Sequence, residues 1–172
     1  MRPFAAFALV LHDLHQFRYE IALRTGDTPN VEDAMAGASI LKVDTIRIIE
    51  RGSGIRTWPL VVHQALPHAH FTTGMSVYPV GQGAPMHKHN CDEQVTLLEG
   101  TGEVEVEGHI TALVPYDSTY IPAGLFHRFR NTGNSPMRIL WIYDSTRVTR
   151  TFLSDGVEVE HLSPQDLMGT LT

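Results

Sequence analysis

The chain has 172 residues, with 13 Lys or Arg against 19 Asp or Glu, a formal net charge of −6 and 42% hydrophobic residues. This is the length and composition of one globular domain, and the acidic balance argues against phosphate-driven binding to nucleic acid or to an acidic membrane surface. A single cysteine, Cys91, excludes an intrachain disulfide and points to a reducing, cytoplasmic setting.

In chain order, residues 3–25 read as an amphipathic helix: Phe4, Phe7, Leu11 and Leu14 recur at spacings of three and four, Pro3 suits a first helical residue and Gly26 a C-terminal cap. Its longest apolar stretch, residues 3–11, is far short of the roughly 20 residues of a membrane span. Arg2 ahead of that stretch imitates a secretory signal, but His12 and Asp13 follow with no small-residue cleavage site. A short helical turn is predicted over 31–36, and Met35 offers an alternative start to Met1. From Ile40 the pattern changes to short strands, predicted at 45–50, 55–62, 71–79, 86–90, 93–98, 103–107, 110–114, 119–121, 126–131, 137–143, 148–152 and 157–160. Gly, Pro, Asn and Asp punctuate them, as at Glu107-Gly108 and Pro122-Ala123-Gly124. Many short strands without interleaved helices predict a β-sandwich or barrel. The domain plan is an N-terminal helical arm (1–39), a β-barrel (40–162) and a tail (163–172) with a last helical turn capped by Ser163.

Ten histidines are more than such a chain needs, and His is the commonest side-chain metal ligand. In a strand, residues two apart share a face, so His87 and His89 present two imidazoles to one side, and Glu93 has the same parity. His127 on a later strand offers a fourth donor. Three neutral imidazoles and one carboxylate suit Fe, Mn, Ni, Co or Zn.

The spacing of these residues resembles that of the cupin family. Gly81, His87, His89, Glu93 and Gly100 fit its first motif at every position, and Pro122, Gly124, His127 and Asn131 fit the second. The leading glycine of that second motif is missing, and Tyr116-Asp117 stands there instead. The resemblance covers roughly residues 45–152 and implies an all-β, double-stranded jelly roll holding a divalent transition metal on His87, His89, Glu93 and His127. It also implies a small-molecule ligand and a homodimer, commonly built by exchange of N-terminal segments.

Around the four ligands, Tyr78, Phe129, Trp141, Tyr143 and Arg56 are candidate pocket residues, the aromatics as walls and Arg56 as a carboxylate clamp. Arg128 has the opposite parity to His127 and is expected to point outward. Cys91 is expected to be a buried small hydrophobe. His63, His68 and His70 are assigned to the surface or to the edge of the site, and His12, His15, His109 and His161 to solvent. The expected function is a metal-dependent enzyme on a small metabolite, dioxygenase-like or else a decarboxylase, lyase or isomerase; the alternative is a non-catalytic binding or sensing module.

Overall fold

A computed structural model describes residues 38–166. The expected helices at 3–25 and 31–36 lie outside the described residues. The chain divides after Arg47 into two compact units. Within the first, Val43–Thr45 forms one 3-10 turn. The second carries twelve strands: β1 Ile49–Glu50, β2 Arg56–Val61, β3 Thr72–Tyr78, β4 His87–His89, β5 Glu93–Glu99, β6 Gly102–Val106, β7 His109–Leu113, β8 Ser118–Ile121, β9 His127–Asn131, β10 Met137–Tyr143, β11 Thr149–Phe152 and β12 Glu158–Glu160. No helix among the described residues is long and apolar enough to cross a membrane.

All pairings are antiparallel, in two six-stranded sheets ordered β1-β2-β3-β10-β5-β8 and β12-β11-β4-β9-β6-β7. Alternation explains which faces meet. In β10, Met137, Ile139, Trp141 and Tyr143 are buried while the intervening residues are half-exposed. Its register with β5 sets Tyr143 opposite Glu93, Trp141 opposite Val95 and Ile139 opposite Leu97. One end of the interior is therefore apolar and the other carries Glu93 and Tyr143. In the second sheet, His87 lies directly opposite His127, which brings two imidazoles to the same polar end.

The outer face is held by charges. Glu103 pairs with Arg130 and Glu105 with Arg128, at 2.6 and 2.7 Å, across the β6–β9 register. Arg128 therefore points outward, as its parity predicts. Strand β1 is shorter than expected, because only Ile49 and Glu50 find partners on β2 and the ladder stops short of Pro59, which has no N–H to offer. The tail differs as well: over the described residues 163–166 there is a turn, with Asp166 N donating to Ser163 O at 3.1 Å, rather than a helix.

Turn chemistry matches the sequence at Glu107-Gly108, where φ values of 48° and 81° give the two-residue hairpin between β6 and β7. It conflicts at Tyr116. This residue sits at φ 77° and is 81% exposed, in the left-handed region that the family's glycine would occupy without strain. Tyr116→Gly is therefore expected to stabilise the fold by about 1 kcal/mol, read as a higher urea midpoint at unchanged slope. A lower midpoint would mean that the exposed phenol ring makes a contact that matters.

Candidate metal centre

Strand β4 is only three residues long, His87-Lys88-His89, and sits between β9 and β11. Both of its histidines point inward while Lys88 is half-exposed, with its ammonium 5.0 Å from the Phe126 ring. His87, His89 and His127 have ligand nitrogens within 4.8 Å of one another, an arrangement that could hold a metal ion. Glu93, the first residue of β5, reaches them: Oε2 is 2.8 Å from His127 Nε2 and 3.9 Å from His89 Nε2. All four side chains are buried, at 1–5% exposure.

The hydrogen-bond partners of the rings fix which nitrogens are bare. Nδ1 of His87 lies 2.7 Å from Pro85 O, that of His89 2.8 Å from Thr149 O, and that of His127 2.9 Å from Leu125 O. A carbonyl oxygen can only accept, so each Nδ1 carries its hydrogen and donates. Burial then keeps the beta-4 rings neutral: it pulls the His87 pKa well below its ordinary value and that of His89 to about 3. A neutral imidazole with its hydrogen on Nδ1 has a lone pair on Nε2. His87 Nε2 and His89 Nε2 nevertheless stand 3.1 Å apart, a hydrogen-bonding distance with no hydrogen between them.

The same tension recurs at Glu93. Burial alone would raise its pKa, but the contact and charge of His127, together with His89 and the Tyr143 hydroxyl, hold it down to about 2, so it is ionised at neutral pH. Glu93 Oε2 and His127 Nε2 are both buried without an aligned hydrogen-bond partner. Converging lone pairs and a carboxylate in a dry interior repel unless a cation lies among them. A divalent metal satisfies all four groups at once, and the three carbonyls that orient the rings are what a metal-binding imidazole ordinarily has on its far nitrogen. The donor set fits the metals expected of it.

Four of the five candidate pocket residues are here. Tyr78, Phe129, Trp141 and Tyr143 line an inner void of about 10 Å3 together with His87 and Glu93. The Tyr143 hydroxyl is 3.2 Å from His89 Nε2, and burial pushes its pKa well above 10, so it remains a hydrogen-bond donor. Arg56 is a correction: it is exposed on the outside of β2, with its guanidinium 5.5 Å above the Trp58 ring, and does not reach the void. Cys91 is buried in the apolar cluster, and burial raises its thiol to about 12, as befits a packing residue. His63, His68, His70 and His109 are exposed.

His161 is also a correction. Its side chain is only 4% exposed, and its ring centroid lies 5.1 Å from Tyr143 and 6.0 Å from His89. Arg51 and Arg150, 1% and 3% exposed, line the same void. Alternation held the signal for two of these: His161 continues the parity of Val157 and Val159, and Arg150 that of Val148. Nothing local to Arg51 announces its partner Asp166, 115 residues away.

Residues 74–143, spanning all four ligands, match the family described as Cupin domain. The chain carries a cupin domain. Over 71 residues, 41% of its length, it is 34% identical to 5-nitrosalicylic acid 1,2-dioxygenase of Bradyrhizobium sp, and this stretch is about a third (34%) of that enzyme. Its fold is similar to a cupin-2 domain of Rhodospirillum rubrum, with TM-score 0.53 and 18% identity over 61% of this chain and 73% of that one. A predicted oxalate decarboxylase of Thermotoga maritima gives TM-score 0.54 and 21% identity over 61% and 97%. The three histidines thus lie on β4 and β9, which the fold sets side by side, and Glu93 opens β5 in the other sheet.

Proposed function

We propose that His87, His89, Glu93 and His127 hold one divalent transition metal and that the protein is a metal-dependent enzyme acting on a small oxygenated metabolite, with a dioxygenase-type reaction as the first candidate. The observation that carries this reading is the convergence of bare Nε2 lone pairs and an ionised carboxylate at one buried point. The chain's likeness over 71 residues to an enzyme named 5-nitrosalicylic acid 1,2-dioxygenase orders the reaction classes. When bound, such a metal supplies Lewis acidity and open coordination positions for a substrate. The chain's own residues do the rest. Phe129 and Trp141 keep the space beside the ligands apolar and dry. Tyr143 holds its phenolic proton between His89 and Glu93, where it can donate to an oxygen placed beside the ligands.

The test is turnover. Full-length protein loaded separately with Fe(II) and Mn(II) is screened against catechols, β-diketones, thiols and keto acids, with oxygen uptake and product formation recorded. The expected result is turnover of one class that falls at least a hundredfold in Glu93→Gln. A protein that binds metal yet turns over none of these classes contradicts the enzyme reading and leaves a binding or sensing module.

A further inference from the structure

The turn at residues 161–166 stands between two cavities. On its outer side is a surface cavity of about 370 Å3 whose walls include Pro59, Val62, His63, Val148, His161 and Leu162. On its inner side is the void of about 10 Å3 that touches His87, Glu93 and Tyr143. His161 belongs to both walls. A void of this size holds one water at most, so nothing larger enters it beside His87 and Glu93 until its walls move.

Charge, more than apolar burial, holds that partition shut. Asp166 Oδ1 accepts a hydrogen bond from Arg150 at 2.7 Å, and Oδ2 lies 2.6 Å from Arg51 and 3.0 Å from His161 Nδ1. The main-chain oxygen of Asp166 accepts from Arg51 Nε at 2.9 Å, and its Oδ2 accepts from Leu162 N at 2.8 Å. Leu162 itself sits at φ 66°, a left-handed conformation that a leucine leaves readily once its tether is gone. Among the described residues, two buried guanidinium groups, Arg51 and Arg150, stand with two buried carboxylates, Asp166 and Glu93. A divalent ion on Glu93 adds two positive charges to that balance and calls for an anion.

We propose that Arg51 and Arg150 form a carboxylate-binding site at the inner end of an entry path, occupied here by the chain's own Asp166, and that the carboxylate of an incoming small organic acid displaces Asp166 and frees the 161–166 turn. Arginine pairs take carboxylates through parallel hydrogen bonds, so substrate and Asp166 compete for the same donors with the same geometry. The exchange replaces one ion pair by another and needs no change of charge in the interior. That the acid is the substrate rests on the metal-dependent reading above; the carboxylate site and its internal occupant do not.

Benzoate serves as the probe, with benzamide as its neutral control, on full-length protein both stripped with a chelator and metal-loaded. Saturating benzoate is expected to raise hydrogen exchange at the Leu162 and Asp166 amides at least tenfold in the wild type, and benzamide to leave it unchanged. Asp166→Asn is expected to bind benzoate at least tenfold more tightly, since the internal competitor has lost its charge. Unchanged exchange in the wild type at saturating benzoate, or no benzoate binding at all, overturns the proposal. That wild-type measurement decides even where Asp166→Asn does not fold. Benzoate-dependent opening in a protein that takes up no metal leaves this inference standing and removes the metal reading; a protein that binds metal but shows no opening does the reverse.

Discussion

Asp166→Ala is expected to destabilise the barrel by about 3–5 kcal/mol, the cost of leaving a buried charge without its counter-ion. The side chain is fully buried, and it meets Arg51, Arg150 and His161 within 3.0 Å. Truncation leaves two guanidinium groups without this carboxylate in an interior that excludes water. The pH dependence has the same origin. Burial alone would raise the Asp166 pKa, but the charge of Arg150, the contact with His161 and the charge of Arg51 hold it well below the usual carboxylate range. Its folded value is thus lower than its unfolded value. The stability it contributes is present above the unfolded pKa of about 4 and is lost as pH falls through the folded one. Urea midpoints at pH 7 and pH 3 measure both effects. The wild type is expected to lose stability toward pH 3 and Asp166→Ala to lose less; equal acid sensitivity in the two proteins would assign the loss to other carboxylates.

Glu93→Gln is expected to leave the stripped protein less stable and to remove most of what metal adds. In the stripped protein the carboxamide has the size of the carboxylate but not its charge, so the close contact of Oε2 with His127 Nε2, 2.8 Å at present, is weakened. A loss of about 1 kcal/mol is expected. With metal, a charged ligand is lost. Removing even an outer partner of a metal ligand weakens binding by about 10–100-fold, so loss of the ligand itself should exceed that range. At a free metal concentration a thousandfold above its Kd the wild type gains about 4 kcal/mol, most of which the variant forgoes. Melting temperatures of both proteins, stripped and metal-saturated, give the four values needed. A stripped variant as stable as the stripped wild type, with an undiminished gain from metal, would show that Glu93 only packs.

Most of this site was legible in the sequence because its geometry is local. Each of the twelve expected strands has a counterpart, and 137–143 is reproduced without change, because alternation of apolar and polar residues is decided within the strand itself. The spacing from Gly81 to Gly100 is legible for the same reason: Gly100 takes φ 81°, and His87 and His89 are separated by a single pleat. What was not legible is set by contacts distant in sequence. Arg56 was expected inside on strength of its chemistry, yet the face it occupies depends on the β1–β2 and β2–β3 registers, which put it outside. Arg51 and Asp166 meet across the whole length of the barrel domain, and no periodicity foretells such a pair. His161 shows the intermediate case. Its parity with Val157 and Val159 was readable, but its burial depends on the turn that Asp166 ties down.

Three imidazoles and one carboxylate at the polar end of the barrel make up the proposed metal site. Calorimetric titration of the chelator-stripped, full-length wild type with Co(II) or Zn(II) tests it most directly. One equivalent per chain is expected in the wild type, with binding at least a hundredfold weaker in Glu93→Gln and undetectable in the His87→Ala, His89→Ala double variant. Failure of the wild type to bind either ion, or binding that the double variant retains, would contradict it.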